Sequence, residues 1–104
     1  MFSLEDLAAV VERRSTADSA KSYTRSLLDK GTGYCARKFG EEAIETILAA
    51  TSGGGAALRN EAADALYHLL VLLKAAAVPL PEVMAELERR SRQSGHEEKA
   101  SRGS

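Results

Sequence analysis

The sequence predicts an all-α fold, and three observations carry that expectation. Apolar residues recur at three- and four-residue steps along most of the 104 residues; strand-like alternation is nearly absent; and the periodic runs are separated by clusters of Gly, Pro, Ser and Thr. The pattern divides into five helices, a helical bundle for which a second copy of the chain is expected to supply the missing cover.

Ser3 followed by Asp6 resembles a capping pair, and Leu4, Leu7, Ala8 and Val11 then share one side of a first helix ending near Arg14. The segment STADSA reads as a polar hinge. A second helix from about Ala20 to Lys30 brings Tyr23, Leu27 and Leu28 together, with Gly31 where a left-handed C-terminal residue is expected. The third runs from about Gly33 to Ala50. TSGGG follows as a break, because consecutive glycines lose much conformational freedom inside a regular element. The fourth helix, about Ala56 to Ala77, stops before Pro79. Pro81 then falls in the first turn of a fifth helix whose buried side is Val83, Met84 and Leu87. The stretch SGHEEKASRGS has almost no apolar residue, so residues 1–92 read as the domain and 93–104 as a disordered tail.

Composition limits the function classes. A chain of this length that is 44% hydrophobic can bury only a modest core. With 15 acidic and 14 basic residues it has no field that would make nucleic acid or an anionic membrane its main partner. Cys35 is the single cysteine, which excludes an intramolecular disulfide and fits a reducing cytosol. The run Leu69–Leu73, continued by Ala75–Val78 beyond Lys74, is too short to span a bilayer, and the N-terminus lacks a basic-then-apolar signal pattern. A soluble cytoplasmic protein is expected.

Local acidic clusters carry the chemistry. At 100° per residue, Glu41, Glu42 and Glu45 fall within an arc of about 100° on the third helix, beside an apolar arc of Ala43, Ile44, Ile47 and Leu48. The fourth helix is apolar nearly all round from Ala62 to Leu73, as in a helix enclosed by others. Glu61, Asp64 and His68 nevertheless share a stripe about 60° wide on it. Carboxylates held among apolar helices are costly unless paired or bound to a cation. An all-oxygen pocket suits a hard divalent ion, and Mg²⁺ completes its shell with water and substrate phosphates. The competing reading is a solvated acidic face favoured by a helix dipole.

The spacing EExxE at 41–45 and ExxD at 61–64 resembles the MazG-like all-α nucleotide pyrophosphatases. SYTRSLLDKG, CARKFGEEAIE, NEAADALYHLLVLL and PLPEVMAELERR, in that order, make residues 4–92 similar to the phosphoribosyl-ATP pyrophosphatase family of histidine biosynthesis. The resemblance implies a magnesium-dependent homodimer that splits phosphoribosyl-ATP into phosphoribosyl-AMP and pyrophosphate, with Glu41, Glu42, Glu45, Glu61 and Asp64 as metal-binding acids. Glu42 and Glu45 are the candidates to accept a proton from the attacking water. One departure is Ala65, where members often carry a larger apolar residue. Many relatives are fused to a cyclohydrolase domain, so a stand-alone form is expected here.

Lys38 stands one turn before the glutamates, either to meet phosphate oxygens or to pair with Glu42. Lys30 is a candidate phosphate ligand or a charge at a helix end. His68 is a substrate-contacting candidate or a hydrogen-bonded core histidine. Cys35 reads as a small buried side chain, and Tyr23 as packing the second helix onto the bundle. Three rival functions are a house-cleaning pyrophosphatase for nucleoside triphosphates, a non-catalytic helical dimer, and a di-iron bundle. The last normally requires Glu-x-x-His steps that the sequence lacks.

Overall fold

The computed structural model describes residues 1–93, and among them every regular element is helical. In chain order these are α1 (Leu4–Ser15), α2 (Tyr23–Asp29), α3 (Thr32–Leu48), a short π-helical segment (Ala49–Gly53), α4 (Gly54–Ala75) and α5 (Leu80–Ser91). The tail expected at 93–104 lies, from residue 94 on, outside the described residues. Among the described residues no single helix is long and apolar enough to cross a membrane.

The start of α1 is built as its sequence indicates. The Asp6 amide donates to Ser3 Oγ at 3.1 Å and the Ser3 amide donates to Asp6 Oδ2 at 2.9 Å, a reciprocal capping box. Val11 is buried, with Leu4, Leu7 and Ala8 packed beside it. α2 is shorter than expected because Ser22 caps it. Its hydroxyl accepts from the Arg25 amide at 3.1 Å and donates to the Arg14 carbonyl at 3.0 Å, fastening α2 to the end of α1.

Gly31 does have positive φ, at 92°, but its ψ of 171° is extended rather than helical, and it serves as the N-cap of α3. That combination is essentially confined to glycine. α3 and α4 form an antiparallel pair, as Thr32 at the start of α3 shows by donating its hydroxyl to the Ala75 carbonyl at the end of α4, at 3.2 Å.

The TSGGG break takes a different form from the one expected. The backbone first widens into the π-helical segment rather than leaving the helix. There Thr51 Oγ1 donates to Ile47 O (3.1 Å) and Leu48 O (3.2 Å), while Ser52 Oγ donates to Leu48 O at 2.8 Å. These hydroxyls satisfy carbonyls that the wider turn leaves short of partners. The reversal then falls at Gly54, with φ 81° and ψ 178°, so α4 begins two residues earlier than periodicity indicated. Gly53 allows the close approach, since a Cβ there would lie 2.9 Å from the Ala57 Cβ.

The core is small: Val11, Leu27, Cys35, Leu70, Val71 and Leu80 are its buried members. Cys35 is buried as expected, and its thiol donates to the Leu27 carbonyl at 3.3 Å. Two expectations about packing are corrected. Ile44, Ile47 and Leu48, the apolar arc assigned to the core of α3, are 59%, 62% and 53% exposed. Likewise α4 is not enclosed on all sides, because Ala63 and Leu66 face solvent. The acids therefore border an outward-facing apolar surface.

α5 begins as predicted, with Pro79 as N-cap and Pro81 in the first turn, and it touches the core through Leu80, Val83 and Met84. Leu87, expected on the buried side, is half exposed. On its outer face Arg89 and Arg90 hold the Glu86 carboxyl down at about 2. Two outcomes follow for stability. Truncating Leu27, 1% exposed, to Ala is expected to lower the unfolding free energy by about 2–5 kcal/mol. Gly31→Ala is expected to cost about 1–3 kcal/mol through backbone strain, since its Cβ would meet no neighbour within 4 Å. Urea unfolding at fixed protein concentration measures both.

Candidate metal centre

The antiparallel pairing of α3 and α4 sets the site. Glu42 projects from the middle of α3, while Glu61 and Asp64 stand one turn apart on α4, so the two helices present acids to the same space. One carboxylate oxygen from each of Glu42, Glu61 and Asp64 lies within 4.8 Å of the other two. Glu42 and Glu61 are partly buried and Asp64 is exposed, which gives the group a protected side and an open side.

The electrostatics register the crowding. Partial loss of hydration pushes the Glu61 carboxyl above the ordinary carboxylate value, and the negative charges of Asp64, Glu45 and Glu42 push it further the same way. A hard cation with oxygen preferences fits such a donor set, because it would convert mutual repulsion into shared attraction. Glu42, Glu61 and Asp64 are the residues that would hold it.

The remaining acids are placed differently. Glu45 lies near enough to raise the Glu61 carboxyl but outside the converging three. Glu41 faces the basic residues of its own helix, with Lys38 Nζ 3.2 Å from Oε1 and Arg37 Nε 3.8 Å from Oε2. Lys38 therefore pairs with Glu41, three residues on, rather than with Glu42.

A ring cluster backs the acids. His68 is 6% exposed and stands edge-on to Tyr67 (5.1 Å, 75°) and to Tyr23 (6.0 Å, 90°). Among the described residues no hydrogen bond reaches its imidazole, so the ring is held by packing instead of the core hydrogen bond considered from sequence. Burial lowers its basicity against the opposing pull of Glu42. Tyr67 exchanges a hydroxyl hydrogen bond with the buried Thr24, and Tyr23 stacks on Tyr67 at 6.3 Å and 20°. Tyr23 thus packs α2 against α4 as expected while leaving 56% of its surface exposed.

One grouping near the site was not assembled from sequence. Lys30 and Arg37 both lie over the Tyr34 ring, at 4.6 Å and 5.1 Å from its centroid. The helical step from Tyr34 to Arg37 was visible, but the turn at Gly31 that carries Lys30 to the same ring was not.

Comparison with known proteins agrees with this architecture. The profile of the phosphoribosyl-ATP pyrophosphohydrolase family matches residues 4–91. A phosphoribosyl-ATP pyrophosphatase of Azorhizobium caulinodans is 63% identical over 99 residues, covering 95% of this chain and 91% of the relative. One from Cereibacter sphaeroides is 58% identical over 103 residues, covering 99% of this chain and all (100%) of the relative. Another, from Methylobacterium radiotolerans, is 56% identical over 101 residues, covering 97% and 94%. With the match running from the start of α1 to the end of α5, the chain belongs to the phosphoribosyl-ATP pyrophosphohydrolase family.

Proposed function

We propose that this protein hydrolyses the α–β phosphoanhydride of phosphoribosyl-ATP, releasing phosphoribosyl-AMP and pyrophosphate in histidine biosynthesis, with Mg²⁺ held by Glu42, Glu61 and Asp64. The observation that carries the reading is the convergence of those three carboxylates within 4.8 Å across two helices. Family membership supports the substrate, and the donor chemistry supports the ion.

A polyphosphate repels an attacking water because anionic oxygens surround each phosphorus. When bound, the cation neutralises part of that charge and stabilises the departing pyrophosphate. The protein's own groups do the rest. Glu42 and Asp64, on facing helices, would hold the cation and so set where the polyphosphate meets the bundle. Glu45, outside the converging three, is the acid left to accept the proton as water adds to phosphorus and the anhydride P–O bond breaks. Glu41 completes the acidic face and pairs with Lys38 at 3.2 Å.

We further propose that the working unit is a cytoplasmic homodimer. The half-exposed Ile44, Ile47, Leu48 and Leu66 border the acids. A second copy placed there would bury that surface and shield the carboxylates' open side.

Three measurements test these readings. Steady-state hydrolysis of phosphoribosyl-ATP beside a panel of deoxynucleoside triphosphates should show clear preference for the former; preference for a deoxynucleotide would assign a house-cleaning role instead. Glu42→Gln or Asp64→Asn should cut kcat/KM by about two orders of magnitude or more, whereas solvated acids of a non-catalytic dimer would barely register. Ile47→Glu should convert a sedimenting dimer to monomer.

The raised carboxyl of Glu61 adds a signed expectation. The fold binds the Glu61 proton more tightly than the unfolded chain does. Without a cation, its contribution to stability therefore falls as pH climbs from the ordinary carboxylate value through the raised one. Glu61→Gln should melt no lower than wild type at neutral pH without metal, and Mg²⁺ should raise the melting temperature of the wild type only. A variant that melts lower in the absence of metal would contradict the repulsion argument.

A further inference from the structure

The grouping at the start of α3 is built on one ring. Lys30 is the C-cap of α2, Gly31 turns the chain through its positive φ, and Tyr34 and Arg37 lie three residues apart on α3. Both cations lie over Tyr34 as a result, with Lys30 Nζ 4.6 Å and Arg37 Cζ 5.1 Å from the ring centroid. Carboxylates take up only part of their charge. Lys30 makes no ion pair among the described residues. Arg37 reaches Glu41 only at 3.8 Å, with its side chain 66% exposed. A guanidinium over a ring face keeps its hydrogen-bonding edge available, and an ammonium beside it adds a point charge; together they suit a phosphate monoester.

The position of this patch relative to the acids is set by α3. Tyr34, Lys38, Glu42 and Glu45 follow one another at three- and four-residue steps, hence along one face. Tyr34 and Glu42, eight residues apart in the sequence, are separated by a rise of about 12 Å. The exposed Tyr23 ring, packed on Tyr67 and His68, has its hydroxyl within electrostatic reach of both Tyr34 and Glu42. Phosphoribosyl-ATP carries phosphate at two ends, the triphosphate and the monophosphate of a second ribose. A free nucleoside triphosphate has only the first. Acids with a bound cation suit the first kind of group; the two cations over Tyr34 suit the second.

We propose that Lys30 and Arg37, braced on Tyr34, bind the monophosphate of the substrate's second ribose and thereby select phosphoribosyl nucleotides over plain ones. The inference rests on the activity proposed above and names the specificity determinant of the same site. Lys30 and Arg37 bind while Glu42, about 12 Å along α3, and the α4 acids facing it hold the reacting end.

The test uses the full chain with Mg²⁺. Titration calorimetry compares phosphoribosyl-AMP with AMP for wild type, Lys30→Gln, Arg37→Gln, the double variant and Arg37→Lys, and steady-state kinetics follow phosphoribosyl-ATP. Wild type should prefer phosphoribosyl-AMP. Each glutamine variant should lose about tenfold of that preference and raise KM more than it lowers kcat, the double variant should lose nearly all of it, and Arg37→Lys should recover part. Lys30 touches no carboxylate, so its loss separates this role from any disturbance of Glu41. A double variant that keeps the wild-type preference, or a wild type without one, overturns the proposal. Failure of the activity reading looks different, as absent hydrolysis of phosphoribosyl-ATP by wild type whatever its binding preference.

Discussion

Mutual repulsion among Glu42, Glu61 and Asp64 is the constraint on which the rest of the structure depends. Three carboxylates with oxygens inside 4.8 Å of one another would separate if their helices were free to slide. They are not free. The α3–α4 pair is closed at one end by the π-helical segment and the Gly54 reversal, and tied at the other by the Thr32–Ala75 hydrogen bond. The register of the hairpin, more than any single contact, keeps the acids together.

The neighbouring layers hold that register. α2 is fastened to α1 by Ser22 and to α4 by the Thr24–Tyr67 hydroxyl pair, so the Tyr23, Tyr67 and His68 rings form a wall behind the carboxylates. Burial that lowers the basicity of His68 disfavours a charged imidazole among rings, and the same apolar surroundings sharpen the fields of the acids beside it. Stability and function pull against each other at Glu61. The folded chain holds the Glu61 proton more tightly than the unfolded chain does, whereas the proposed metal role uses the charged form.

The acids and the exposed apolar residues share a surface. The face of α3 that carries Glu41, Glu42 and Glu45 adjoins the outward Ile44, Ile47 and Leu48, so whatever covers the apolar residues also controls water access to the acids. A core of a few buried side chains is thin for a chain of 104 residues, and α5 leans on it through only its first turns. Both features suit a bundle finished by a partner helix surface.

Much of this was legible in the residues themselves. Helix number, the Ser3 capping box, Pro81 in the first turn of α5, and the acidic stripes of α3 and α4 follow from local preferences and the 3.6-residue period, which a single chain segment expresses alone. Tertiary structure decided what no segment contains. Packing turned Ile44, Ile47 and Leu48 outward, because periodicity defines an apolar face without saying which neighbour meets it. Hairpin register selected Glu42, Glu61 and Asp64 from five candidate acids and sent Glu41 to Lys38. The hydroxyls of Thr51 and Ser52 turned an expected break into a widened helix, and the Gly31 turn brought Lys30 over Tyr34. Each outcome rests on distances between residues far apart in the chain or across a turn, and such distances exist only once the helices are placed.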